Sequence, residues 1–192
     1  ALCEEWIEAV VSEEGQLCFG WRDVPADLKK AGRTARAAAP VFKQIFVGRG
    51  ANVSDQAAFE RKLYIIRKKI EKKVLNSDIT LKDLFFVCSL SSRTIVYKGQ
   101  LKSEQLKDFY PDLSDPAFRS AIALVHSRYS TNTFPSWRLA HPYRMLCHNG
   151  EINTLRGNIN RMAAREHVYQ SELFGKELAK VFPVVTPGGS DS

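Results

Sequence analysis

At 192 residues, 44% hydrophobic and 26% charged, the chain has the size and composition of one globular domain with a sizeable core. No apolar run approaches the roughly 18 to 20 residues that span a bilayer, and the acidic start Ala1-Leu2-Cys3-Glu4-Glu5-Trp6 does not resemble a signal peptide. Its four cysteines (Cys3, Cys18, Cys88, Cys147) form no Cys-x-x-Cys pair, which argues against a disulfide framework or a structural zinc site, and the net charge of +7 raises the question of an acidic partner.

In chain order, Leu2, Trp6, Ala9 and Val10 form a helical stripe that ends near Gly15. Residues 16–21 read as a short strand, Arg22-Asp23-Val24-Pro25 as a turn, and 29–40 as a short helix or an exposed linker. A strand follows over 41–47, closed by Gly48-Arg49-Gly50, a weak phosphate-binding signal with no Gly-Lys-Ser/Thr after it. Residues 56–75 carry seven cations against Glu60 and Glu71, while Phe59, Leu63, Ile66, Ile70 and Val74 recur at spacings of 4, 3, 4 and 4. That is one face of a helix, with the cations expected mostly on its solvated remainder. A basic nucleic-acid-binding module is the rival reading, but no interleaved aromatics or known motif support it.

Residues 84–90 and 94–98 read as a β-hairpin around Ser91-Ser92-Arg93. Ser103 is placed to cap a short helix that ends before Pro111. Two further strands are expected at 121–125 and 143–147, with Cys88 and Cys147 as core thiols. Asn153 is placed to cap a helix to about Tyr169 with Leu155, Ile159, Met162 and His167 near its buried side, and a second helix is expected over 172–180, followed by 182–185. With no repeat or composition shift, the chain reads as one α+β unit with an antiparallel or mixed sheet.

The chemistry concentrates where the last two strands are expected to stop. The first runs into His126-Ser127-Arg128-Tyr129-Ser130-Thr131-Asn132-Thr133 and the second into His148-Asn149-Gly150-Glu151-Ile152-Asn153-Thr154. Together they offer a fixed cation, hydroxyls, a carboxamide and a glycine amide. Such a set suits an amino-acid carboxylate and a developing oxyanion. Each cluster alone is also compatible with an ordinary polar turn. A metal site built from His126, His141 and His148 is a minor alternative, since the histidines lack helical metal spacing.

These two motifs resemble the class II glutamine amidotransferases, a family of N-terminal nucleophile hydrolases. Ser89-Leu90-Ser91-Ser92-Arg93-Thr94-Ile95-Val96-Tyr97-Lys98-Gly99, Ser130-Thr131-Asn132-Thr133-Phe134-Pro135-Ser136-Trp137 and the run from His148 to Asn158 are similar to the glutaminase-bearing large chain of the glutamate synthases. The resemblance implies an αββα sandwich, incomplete in this chain, with residues 1–192 forming a partial amidotransferase domain. It assigns the glutamine carboxylate to Arg128, a further substrate hydrogen bond to Thr131, pocket shape to Tyr129, the oxyanion hole to Asn149 and Gly150, and the glutamine ammonium to Asp191. His126 and His148 are expected to orient their loops rather than transfer protons.

The family's nucleophile is an N-terminal cysteine whose own α-amino group acts as base, and this chain begins with Ala1. The expectation is therefore an interior fragment that is inactive by itself. The resemblance further implies glutamine as substrate and a synthase domain in the same polypeptide that uses FMN and an iron–sulfur cluster, neither of which these residues are expected to bind. It also implies an electron-donating subunit or ferredoxin and a cytoplasmic or plastid-stromal setting, while the residues themselves lead to the expectation of no nucleic acid, membrane or metal for this chain. Another class II amidotransferase or a glutaminase-like subunit is the near alternative.

Overall fold

The computed structural model describes residues 2–131, 133–148 and 153–190. Its elements are helix α1 (Leu2–Glu13), strand β1 (Leu17–Asp23), helix α2 (Arg33–Ala37), strand β2 (Lys43–Gly48), and helices α3 (Gln56–Leu75), α4 (Leu106–Phe109) and α5 (Leu155–Glu166), with short 3-10 turns between them. The mixture of helix and strand agrees with an α+β class.

Helix α3 is the organising element. Asp55 starts it by accepting the Ala58 N–H at 2.8 Å, an N-cap that satisfies an otherwise orphaned donor. All five residues of the expected stripe are buried. They pack on Val10 and Val11 of α1 and, at the margin, on Ile45 and Val47 of β2. Burying each large aliphatic side chain stabilises by about 1.5–3 kcal/mol. The stripe of α1 is rotated from expectation: Cys3, Trp6, Ile7, Val10 and Val11 face the core, while Ala9 is exposed.

The cations of α3 are not simply solvated. Arg67 and Lys68 are buried; Arg67 reaches Glu71 at 3.1 Å and lies 4.9 Å over the Tyr64 ring. Glu14, at the end of α1, sits inside a ring of ammonium groups, with Lys62 at 3.0 Å, Lys69 at 2.9 Å and Lys180 at 2.9 Å. Burial by itself raises this carboxyl, but hydrogen bonds from Lys69, Lys180 and Lys62 outweigh it and bring the pKa to about 2.

Strands β1 and β2 pair antiparallel, from Leu17 opposite Gly48 to Asp23 opposite Lys43. Arg22 and Asp23 thus belong to the strand rather than to a turn. Gly48-Arg49-Gly50 serves packing: the Gly50 N–H donates to Gln16 at 3.0 Å, and a Cβ there would lie 1.8 Å from the Gly15 carbonyl oxygen. A second core gathers Ala31, Ala35, Phe109, Tyr110 and Trp137. Phe42 meets Phe109, Tyr110 and Trp137 edge-on at 5.9, 5.7 and 5.4 Å.

Several expected elements are replaced. Among the described residues the sheet has only these two strands. At the expected hairpin, Ser91 Oγ and the Ser92 N–H each donate to the Glu60 carboxylate of α3 at 2.7 Å. That anchors the turn on the helix, and its two flanks line a cavity of about 430 Å³ beside β2 and α3 instead of pairing with each other. Among the described residues, 121–125 have no strand partner, and Ile122 and Val125 are 76% and 74% exposed. At 143–147 the chain doubles back at once, with Tyr143 and Leu146 forming a single bridge. Cys147 is therefore exposed and Cys88 only half-buried, not core-strand thiols.

The remaining differences concern caps and termini. Gln105 accepts the Lys102 N–H at 2.8 Å, so Ser103 lies inside its turn rather than capping it. Helix α5 follows Thr154 in a left-handed conformation (φ 61°), not an Asn153 cap, and buries none of its residues. His167 is exposed just beyond it. Residues 175–181 form a 3-10 turn, shorter than the helix expected over 172–180, and 182–185 is not a strand.

Candidate functional site

The segment 126–138 leaves the unpartnered run at 121–125 and ends on the second core, where Trp137 donates to the Ala35 carbonyl at 2.9 Å. Between these ends its polar groups tie it to two other loops. His126 Nδ1 accepts the Arg128 N–H at 3.1 Å, and its Nε2 faces the His148 carbonyl oxygen. Since Nδ1 accepts, the ring proton must sit on Nε2, which donates. The His126 ring also lies 4.3 Å, centroid to centroid, from that of the buried His141.

The loop is closed by the Thr133 N–H donating to the Ser130 carbonyl at 3.1 Å. Tyr129 donates to the Ser136 carbonyl at 2.9 Å. Burial, helped by Tyr143, pushes its phenol up to about 12, so it remains a neutral donor at physiological pH. Thr133 Oγ1 meets Ser190 Oγ at 3.3 Å, and Arg138 donates to the carbonyls of Pro187 and Gly188 at 3.3 and 3.1 Å. The C-terminal Gly-Gly-Ser loop is thereby seated on the 133–138 stretch.

Of the residues singled out from sequence, Arg128, Tyr129 and Thr131 share this one loop. Arg128 is exposed, and its guanidinium forms no ion pair with a described residue. Thr131 is exposed in the turn, and Tyr129 is half-buried. Asn149, Gly150 and Asp191 lie outside the described residues. Their chain neighbours His148 and Ser190 are both bonded to the 126–133 segment.

The three histidines come together, with ring centroids 4.3 to 6.1 Å apart. No group of three or more His, Cys, Asp or Glu among the described residues is arranged to hold a metal ion. The His126 nitrogens are engaged in the two hydrogen bonds above.

Lys98 was not singled out by sequence reasoning. It is buried, donates to the Arg138 carbonyl at 2.7 Å and lies 4.6 Å over the Tyr143 ring. Burial lowers its pKa to about 8. It supports the 138–143 stretch from below. The sequence signal was its neighbour Gly99, where a Cβ would lie 2.3 Å from the Trp137 ring.

The family described as "Glutamine amidotransferases class-II" matches residues 1–192. The chain is 53% identical over 98% of its length to the "Glutamate synthase [NADPH] large chain" of Bacillus subtilis (strain 168), covering 12% of that protein. It is 47% identical over 99% of its length to the protein of the same name from Azospirillum brasilense, again covering 12%. To the "Ferredoxin-dependent glutamate synthase, chloroplastic" of Oryza sativa subsp. japonica it is 45% identical over 97% of its length, covering 11%. The chain thus spans about an eighth of the length of these relatives. It belongs to the class-II glutamine amidotransferases.

Proposed function

We propose that the chain forms the glutamine-binding part of an ammonia-releasing amidotransferase domain in a glutamate synthase. The observation that carries this reading is the exposed Arg128 guanidinium, held on a loop bonded to the immediate neighbours of Asn149 and Asp191. Arg128 presents a planar, permanently charged fork to the glutamine α-carboxylate. Asp191 takes the α-ammonium, so both charged ends of the amino acid are read. Thr131 adds a hydrogen bond, and the neutral Tyr129 walls the pocket.

In the reaction, a thiolate attacks the side-chain amide carbon of glutamine. The oxygen of the resulting tetrahedral intermediate is held by the Asn149 carboxamide and the Gly150 N–H, each such donor contributing about 3–4 kcal/mol to the barrier reduction. The C–N bond breaks, ammonia leaves, and water then hydrolyses the γ-glutamyl thioester to glutamate. The nucleophile requires a free α-amino group on the same cysteine as its base, which Cys3, Cys18, Cys88 and Cys147 do not carry. Burial also pushes the Cys88 thiol up, away from the thiolate form.

On this reading the chain contributes its substrate-binding loops to an αββα domain. Ammonia passes to 2-oxoglutarate at a synthase site in the rest of the protein, where FMN and an iron–sulfur cluster belong. The cysteines described here do not gather as a cluster ligand set.

Treating the full-length protein with a glutamine-mimicking diazoketone tests this reading. A single adduct mapping to an N-terminal cysteine is expected, with Arg128→Lys raising the KM for glutamine by about 10- to 100-fold, the range for a lost charged hydrogen bond. An adduct on one of the internal cysteines, or an unchanged KM, overturns it.

A further inference from the structure

We infer that His126 is a positioning residue that locks the carboxylate-binding loop to the oxyanion loop through one neutral imidazole, an inference that rests on the glutamine reading above. A neutral imidazole has one donor and one acceptor nitrogen. Here the acceptor, Nδ1, is used by the N–H of Arg128, and the donor, Nε2, by the carbonyl of His148. One contact fixes the backbone of the residue whose side chain meets the substrate carboxylate. The other fixes the residue immediately before Asn149. Because the ring is rigid, the distance between its two nitrogens sets the distance between the two loops.

Two features make this more than an ordinary loop contact. The other tautomer would set an N–H against the Arg128 N–H and a bare nitrogen against the His148 oxygen, and turning the ring over would put carbon at both places, so only one ring orientation and one tautomer satisfy both contacts. The ring also rests on His141, which is buried, and not on solvent. With both nitrogens bonded to backbone, His126 has none left to move a substrate proton. Its effect on the reaction passes through Arg128 and Asn149, which need to be held close to their productive geometry.

The two bonds are separable by substitution in the full-length protein. His126→Asn keeps an acceptor near the Nδ1 position and loses the donor to His148. His126→Gln keeps a donor near Nε2 and loses the acceptor for Arg128. Steady-state ammonia release from glutamine is measured for both, beside His126→Ala and the wild type, with the thermal midpoint of each.

The Asn variant is expected to hold KM within about twofold while kcat falls about tenfold, the size of one lost hydrogen bond. The Gln variant is expected to show the opposite split, and Ala both losses. Should the Ala variant fail to fold, the Asn and Gln variants decide the matter. Kinetics unchanged in both, or kcat and KM moving alike in both, overturn the inference. A wild type that releases no ammonia from glutamine overturns the glutamine reading, and this inference with it; an active wild type with unmoved variants overturns the inference alone.

Discussion

Helix α3 and the run at 121–125 are both rich in aliphatic residues, and they dispose of them in opposite ways. In α3 the side chains of Leu63, Ile66, Ile70 and Val74 are at most 2% exposed, whereas Ile122, Leu124 and Val125 are 43 to 76% exposed. A helix closes its own backbone hydrogen bonds within four residues and needs a neighbour for one face only. A strand needs a neighbour for its backbone as well as its side chains. The helix therefore folds on local information plus one partner. The run at 121–125 has strand-forming residues and, among the described residues, no strand to join.

The largest effect that tests this contrast is truncation of α3. Ile66→Ala is expected to destabilise the chain by about 2–5 kcal/mol in urea unfolding, because it opens a cavity where packing is complete. A loss below about 1 kcal/mol would mean that α3 does not organise the core.

Next comes the Glu14 ring, which ties α1 to α3 and to Lys180. The carboxyl has a pKa of about 2 in the fold against its ordinary 4.5, so its stabilisation is complete above pH 4.5 and is lost as pH falls toward 2. That amounts to about 3 kcal/mol as an upper bound. Glu14→Gln should flatten the acid limb of the stability–pH curve by that amount, and an unaltered slope would remove Glu14 as its source.

A smaller loss, about 1 kcal/mol, is expected for Trp137→Phe, which keeps the packing of the ring and gives up its hydrogen bond to Ala35. The same denaturant series would show a neutral result if the indole N–H finds water instead. The smallest effect sharpens the comparison most. Ile122→Ser should change the stability of the 192-residue chain by no more than about 0.5 kcal/mol. A loss of several kcal/mol would show that the 121–125 run is packed in solution.

The same contrast explains what was legible in the sequence. Helix α1, strands β1 and β2 and helix α3 announce themselves through periodicity, and their residue ranges follow within a few positions. The hairpin at 84–98 and the strands at 121–125 and 143–147 carry the right residue types. Their fate depends on contacts far away in sequence, such as Glu60 capturing Ser91 and Ser92. Charge was misleading for a related reason. Arg67 and Lys68 read as solvent residues, but their long stems let them lie buried along the apolar face.

The candidate site divides along similar lines. Arg128, Tyr129 and Thr131 stood out because a cation, a phenol and a hydroxyl crowd into four residues. The bonding of His126 to the His148 carbonyl, and of Thr133 and Arg138 to the Gly-Gly-Ser loop, joins residues 22 to 57 positions apart. No local pattern encodes such pairings.

The placement of Trp137 has an optical consequence. Of the three tryptophans, Trp6 and Trp21 are half-buried near the first core, while Trp137 is 4% exposed in the second, at the foot of the loop that carries Arg128. Its indole is a native fluorophore whose emission reddens and becomes open to quenching by iodide if that foot lifts from Ala35. With Trp6 and Trp21 replaced by Phe, docking of the loop can be followed in real time with no added label.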